Sequence, residues 1–212
     1  MERSKDLYDA ILNGDAKKAH AATEAALASG ADPMELIQGS MVPAMDEVGR
    51  LFECEEYFVP EVLLSGRAMK SAMELIKPRL SASGQKMKFR VVIGTVKGDL
   101  HDIGKNIVAS MLEGGGFEVI DLGTDVSPES FVAAVRDRNP QVVCMSALLT
   151  VTMPAMKLTI DALKTAGVRT QVKVLVGGAP VTHQYAREIG ADGYSENANG
   201  AVGLINNLLA VA

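Results

Sequence analysis

The sequence predicts an α/β chain: an N-terminal four-helix bundle followed by a Rossmann-like (flavodoxin-like), doubly wound parallel sheet of five strands. Two observations carry this. Residues 1 to about 80 hold helical periodicity and no convincing strand, whereas from residue 89 short β-branched runs alternate with amphipathic stretches. Between them Ser81-Ala82-Ser83-Gly84-Gln85-Lys86 is small and polar, as linkers are. The expected domains are therefore 1–84 and 87–212.

In the first half Leu7, Ala10 and Ile11 share one helix face until Asn13-Gly14-Asp15 interrupts it, and Asp15 is placed to cap a second helix ending near Gly30. Asp32-Pro33 opens a third, with Met34, Ile37, Met41, Met45, Val48 and Leu51 at spacings of three or four. Pro43 should kink or split it. A fourth runs from Pro60 through Val62, Leu63, Ala68, Met69, Ala72, Met73 and Ile76, and should stop before Pro78. Short connections between four helices predict an antiparallel bundle.

In the second half, strand-like runs at 89–96, 118–122, 141–146 and 172–176 alternate with helical stretches at 105–114, 128–138, 153–166 and 182–189, and a last helix starts near 199. Strand and helix in alternation give a parallel sheet with helices on both faces. Crossovers of this kind are right-handed.

The chain has 212 residues, 48% of them apolar, enough for real cores. No apolar run approaches the ~20 residues that span a bilayer, and the charged opening Met-Glu-Arg-Ser-Lys-Asp lacks a signal-type apolar core. A cytoplasmic protein with no membrane partner is expected. A net charge of −5 without a basic cluster argues against nucleic acid. Cys54 and Cys144, far apart and without metal-type spacing, read as free thiols.

Chemistry concentrates after the first strand. The apolar run Val91-Val92-Ile93-Gly94-Thr95-Val96 leads into Gly98-Asp99-Leu100-His101-Asp102-Ile103-Gly104-Lys105-Asn106. That places an imidazole flanked by two carboxylates on a strand-to-helix loop, the edge where open parallel sheets hold ligands. A carboxylate orienting one ring nitrogen leaves the other for a metal. A phosphate loop fails on spacing, because five residues separate Gly98 from Gly104 and Asn106 stands where Ser or Thr should be. No Gly-x-Gly-x-x-Gly follows the strand, and Ser146 stands where a phospho-acceptor receiver would carry aspartate at the end of its third strand. Zinc wants three or four protein ligands, and neither cysteine lies beside the loop. A metal held by a macrocycle needs a single protein ligand.

These residues resemble the cobalamin-binding domains of corrinoid proteins in methyl-transfer systems, including the cobalamin region of methionine synthase. The family's Asp-x-His-x-x-Gly is matched by Asp99, His101 and Gly104, its Ser-x-Leu by Ser146-Ala147-Leu148 with Thr150 following, and its Gly-Gly by Gly177-Gly178. The helical half resembles the module preceding such domains, notably in Tyr57-Phe58-Val59-Pro60-Glu61-Val62 and Ser65-Gly66-Arg67-Ala68-Met69.

The resemblance implies a bound cobalamin, its own base detached and His101 the lower axial cobalt ligand. Asp99 accepts the second imidazole N–H, and Thr152, where the synthase-like pattern has serine, would complete a proton relay. Asp102 and Gly104 border the corrinoid, the nucleotide tail runs between the Ser146, Leu148, Thr150 and Gly177-Gly178 loops, and Tyr194 and Ala198 line the far end of that pocket. Phe58 would shield the upper cobalt face. His20 and His183 receive no role. The implied function is that of a carrier taking a methyl group on Co(I) from a substrate-specific methyltransferase and passing it, as methyl-Co(III), to an acceptor methyltransferase, with a reductive activase as third partner. A cobalamin-binding sensor, or the small subunit of a cobalamin-dependent mutase, is the alternative.

Overall fold

The computed structural model describes residues 4–83 and 89–210. Contacts divide the chain into two units: one of residues 1–88 with Ser110–Phe117, the other of residues 89–109 with 118–212.

The helical unit contains α1 (Lys5–Leu12), α2 (Ala16–Ala28), α3 (Pro33–Leu36), α4 (Val42–Glu53) and α5 (Val59–Ser83). Asp15 caps α2 by accepting the Lys18 N–H, and Asp32 caps α3 by accepting those of Met34 and Glu35, with Pro33 at the first helical position. Between α3 and α4 the chain stays helical but widens into a π turn, Ile37–Met41, where the Val42 N–H reaches back to the Ile37 carbonyl. Pro43 accounts for the widening: its ring excludes the normal helical bond at this point, and an extra residue in the turn accommodates it. The core of this unit is built from Leu7, Ile11, Met41, Met45, Val48, Met69 and Ile76, all essentially inaccessible to solvent. Its methionines fill a core as ordinary apolar side chains do.

The fourth helix does not stop before Pro78; α5 continues to Ser83. Pro78 and Glu74 both lie on the exposed side. The carbonyl that loses its partner to the proline can therefore be hydrated, while buried Ile76 and Leu80 hold the helix on either side. Residues 81–83 are thus helix, and the remainder of the expected linker, 84–86, lies outside the described residues.

The second unit is a five-stranded, all-parallel sheet in the order β2-β1-β3-β4-β5. Its strands are β1 (Arg90–Thr95), β2 (Glu118–Asp121), β3 (Val142–Ser146), β4 (Lys173–Gly177) and β5 (Gly193–Tyr194). They alternate with α6 (Ile103–Gly114), α7 (Pro128–Arg138), α8 (Pro154–Thr165), α9 (His183–Ile189) and α10 (Ala198–Ala210). Val92, Val143, Met145, Val174 and Val176 join Phe131, Val135, Met156, Ile160 and Ile189 of α7, α8 and α9 in one core. The residues between them, Val91, Ile93, Val142, Cys144 and Leu175, point to the opposite face by the two-residue period and are equally buried. A sheet covered on both faces needs continuous apolar strands, which is why these read as unbroken Val and Ile runs. Among the described residues no helix is long and apolar enough to cross a membrane.

Burial pushes the Cys144 thiol up to about 12, whereas Cys54 is exposed. An aromatic disulfide reagent at pH 8 is therefore expected to titrate one thiol in the native protein and two in denaturant; two fast native thiols would show that the β3 core opens readily. The folded state holds the Cys144 proton more tightly than the unfolded state does. Its contribution to stability is therefore complete below about pH 9 and falls as pH rises from there toward about 12.

Candidate functional site

In the strand order 2-1-3-4-5, the crossovers leave β1 and β3 in opposite directions, opening a crevice at their carboxyl ends. The loops after these two strands carry the central residues. Asp99 follows β1, and both its carboxylate oxygens are engaged although the side chain is fully buried. Oδ1 accepts the His101 main-chain N–H at 3.1 Å and faces the His101 Nδ1 at 3.0 Å. Oδ2 accepts the Leu148 N–H and the Thr152 hydroxyl, each at 2.8 Å, both from the loop after β3. Burial acts to raise the Asp99 pKa, but these hydrogen bonds outweigh it and hold the carboxyl well below the usual range. An ionised Asp99 fixes the tautomer: the imidazole proton sits on Nδ1, and Nε2 carries the free lone pair.

Thr152 has one hydroxyl hydrogen and two acceptors in reach, Asp99 Oδ2 and the Leu149 carbonyl, each at 2.8 Å. The carboxylate is the stronger acceptor. The carbonyl still receives the main-chain N–H groups of Thr152 and Met153. The β-branch of threonine does not prevent the contact with Asp99.

His101 itself is half exposed, 53% by side chain, and its Nε2 makes no hydrogen bond among the described residues. Around it Leu100, Ile103, Leu148, Leu149 and Val151 are large apolar side chains left exposed, Val151 by 81%. Such a patch beside a polar centre marks a ligand surface. Asp102 is exposed and its carbonyl takes the Asn106 N–H that opens α6. Gly104 lies in the first turn of α6, and a Cβ there would meet nothing within 4 Å, so the backbone faces open space.

The remaining expected residues lie along the same edge of the sheet. Ser146 ends β3 in register with Thr95 of β1 and Gly177 of β4. Thr150 is exposed in the loop beyond. Gly178 has φ +124°, and a Cβ on it would lie 1.9 Å from the Ala147 carbonyl oxygen, so only glycine fits between these loops. Tyr194 is half-buried at the end of β5 with its ring edge-on to His183, centroids 4.8 Å apart, and Ala198 is buried at the start of α10. Phe58 belongs to the helical unit, where it precedes α5 and remains 62% exposed.

Three supports are absent from the sequence reading. The Leu148 main-chain N–H on Asp99 depends on how the loops meet, and no residue type announces it. The Thr95 hydroxyl donates to the His101 carbonyl at 2.8 Å. Asp125, in the left-handed region at φ +55°, accepts the Gly98 N–H at 2.8 Å and pairs with Lys97 at 2.9 Å, clamping the turn that delivers Asp99. A signal existed only for Asp125, as an aspartate in the Gly-Thr-Asp-Val stretch after β2.

Among the described residues no group of three or more His, Cys, Asp or Glu is arranged to hold a metal ion. The site instead offers one oriented imidazole, an apolar surround and glycine-lined loops, donors that suit a metal whose other ligands come from a macrocycle. Fold and site together define a corrinoid-binding α/β protein with a helical N-terminal unit.

Comparison with known proteins agrees over nearly the whole chain. Residues 89–203 match the B12 binding domain model, and residues 4–77 match a second model of that description. The chain is 46% identical to trimethylamine corrinoid protein 1 of Methanosarcina acetivorans over 203 residues, 95% of this chain and 94% of that one. It superposes on the methanol:cobalamin methyltransferase complex MtaBC from Methanosarcina barkeri with a TM-score of 0.88 at 33% identity, covering 99% of this chain and 80% of that one. A cobalamin-binding protein from Desulfitobacterium hafniense aligns over 98% of both chains with a TM-score of 0.77 at 34% identity. The chain belongs to the B12-binding family of corrinoid proteins, and its cofactor is cobalamin.

Proposed function

We propose that this chain is the methyl-carrying subunit of a methyl-transfer system, receiving its methyl group from a methylated amine through a substrate-specific methyltransferase and delivering it to an acceptor methyltransferase. A reductive activase restores the cofactor when it is oxidised. The observation that carries this reading is the Thr152–Asp99–His101 chain, which presents one unengaged imidazole nitrogen at the β1–β3 crevice. The amine as donor is supported by the 46% identity to a trimethylamine corrinoid protein.

Bound cobalamin supplies the group-transfer chemistry, a cobalt that takes up a methyl group and gives it up again. His101 would hold the cobalt through Nε2, the ring nitrogen that Asp99 leaves unengaged. Asp99, ionised and anchored by Leu148 and Thr152, keeps the proton on Nδ1 and raises the donor strength of the ring. Through Asp99 the Thr152 hydroxyl would act on the Nδ1 side of the ring, away from the Nε2 that would hold the cobalt. Gly104 leaves room beside the α6 main chain, and Asp102 borders it. Ser146, Leu148, Thr150, Gly177 and Gly178, with Tyr194 and Ala198 beyond them, are the residues that would hold the nucleotide part of the cofactor.

The test supplies the reduced, cobalamin-loaded protein with trimethylamine and a trimethylamine-specific methyltransferase, and in parallel with methanol and its own methyltransferase. About one methyl per bound cobalamin is expected with the amine pair and little with methanol, because the partner selects the donor. Methylation by the methanol pair alone would overturn the amine assignment. Methylation by neither, with cobalamin retained, would overturn the carrier reading.

A further inference from the structure

Among the described residues Lys105 is the only buried cation, as Asp99 is the only buried carboxylate. Its side chain is 2% exposed and stands in the first turn of α6. Both circumstances work against an ammonium: burial strips its water, and the amino end of a helix already carries positive partial charge. The reading of the site gives it no task.

Its partners supply one. Nζ donates to Asp121 Oδ2 at the end of β2, and to Asn106 Oδ1 at 2.7 Å. Asp121 is itself fixed, its Oδ1 accepting the Gly123 N–H at 2.8 Å. Because Lys105 claims the Asn106 oxygen, the orientation of that amide is settled, and its NH2 faces the other way. There it donates to Asp102 Oδ2 at 3.1 Å, while the Asn106 main-chain N–H takes the Asp102 carbonyl at 2.7 Å. Asp102 directly follows His101. The histidine is therefore tethered from two sides, by Asp99 towards β1 and by the Lys105–Asn106–Asp102 chain towards α6.

We propose that Lys105 is a positioning residue for His101: its ammonium, anchored on Asp121, sets the Asn106 amide and through it Asp102, so that the loop presents the imidazole in one orientation. This rests on the reading of His101 as the cobalt ligand. Among the described residues Lys105 makes no hydrogen bond or ion pair to the imidazole, and the Asp121 contact already joins β2 to α6 without Asn106.

The experiment compares wild type with Lys105→Met, Lys105→Arg and Asn106→Leu. The methionine keeps the apolar stem and frees an Asp121 that is 40% exposed and can be hydrated. The leucine leaves the Lys105–Asp121 pair intact. Two readouts are taken on folded protein: the absorbance of bound methylcobalamin, which distinguishes histidine-ligated from unligated cobalt, and the 15N-edited imidazole resonances of the cobalamin-free chain, with His101 assigned through His101→Ala.

Lys105→Met and Asn106→Leu are expected to retain cobalamin but to shift the ligated-to-unligated ratio by about tenfold, the low end for losing an outer partner of a metal ligand. Both should broaden or split the His101 resonance, with partial recovery in Lys105→Arg. Wild-type spectra and one sharp imidazole signal in folded Lys105→Met and Asn106→Leu would overturn the proposal and leave Lys105 a purely structural ion pair. Should Lys105→Met not fold, Asn106→Leu decides. A wild type that holds cobalamin without histidine ligation would overturn the reading of the site instead, while the imidazole signal of the cobalamin-free variants still decides the positioning.

Discussion

Replacing His101 with alanine is expected to remove the histidine-ligated absorbance of bound methylcobalamin entirely, while shifting the stability of the cobalamin-free protein by no more than about 1 kcal/mol. The separation follows from burial. Over half of the imidazole is exposed, so its removal leaves no sizeable cavity. The Asp99 carboxylate loses one contact but keeps the N–H groups of His101 and Leu148 and the Thr152 hydroxyl. Substituting Asp99 should behave in the opposite way. Asp99→Leu strands the main-chain N–H groups of His101 and Leu148, while the Thr152 hydroxyl can turn to the Leu149 carbonyl, and is expected to cost about 3 kcal/mol before any effect on cobalt is seen.

The pH dependence carries the same distinction. Asp99 is held well below its unfolded value, so its contribution to stability is present in full above about pH 4 and is lost as pH falls through the lower, folded value. Chemical denaturation of wild type and Asp99→Asn from pH 3 to 7 should show the gap between them narrowing on the acid side. Retention of a histidine-ligated spectrum in folded His101→Ala would mean that another side chain reaches the cobalt, and the assignment of the site would fall.

How far the sequence could lead is visible in individual residues. Strands β1, β3 and β4 are buried on both faces, so they had to be written as unbroken apolar runs, which are legible. The fifth strand, Gly193–Tyr194, has two residues and no period. It exists because β4 offers it a free edge, a tertiary fact. Pro78 looks like a helix stop because local rules assume that the freed carbonyl has no other partner; on an exposed face water serves. At the site, Asp99, His101 and the glycines could be found because function restricts them to particular residue types. The Leu148 N–H could not, since any residue but proline would supply it, and the Lys105 chain was hidden because burial of a lysine is not readable from its neighbours in sequence.

The two glycines at the ends of the site should separate folding from ligand space under the same substitution. Gly178→Ala is expected to cost about 3 kcal/mol or more and to abolish cobalamin retention. Its Cβ would stand 1.9 Å from the Ala147 carbonyl oxygen, with the backbone at φ +124°. Relief requires the loops after β3 and β4 to part. Ala147 immediately precedes Leu148, so the shift would pull away the N–H that anchors Asp99. Gly104→Ala meets no atom within 4 Å and sits in the first turn of α6, where alanine is the better helix former. The cobalamin-free protein should therefore be unchanged or gain up to about 1 kcal/mol, and any loss of cobalamin affinity would measure the space the ligand needs beside the α6 main chain. Urea denaturation without cobalamin, followed by equilibrium binding, reads both quantities on each variant. If Gly104→Ala bound cobalamin as tightly as wild type, the ligand would not approach that turn, and Gly104 would have to be removed from the site.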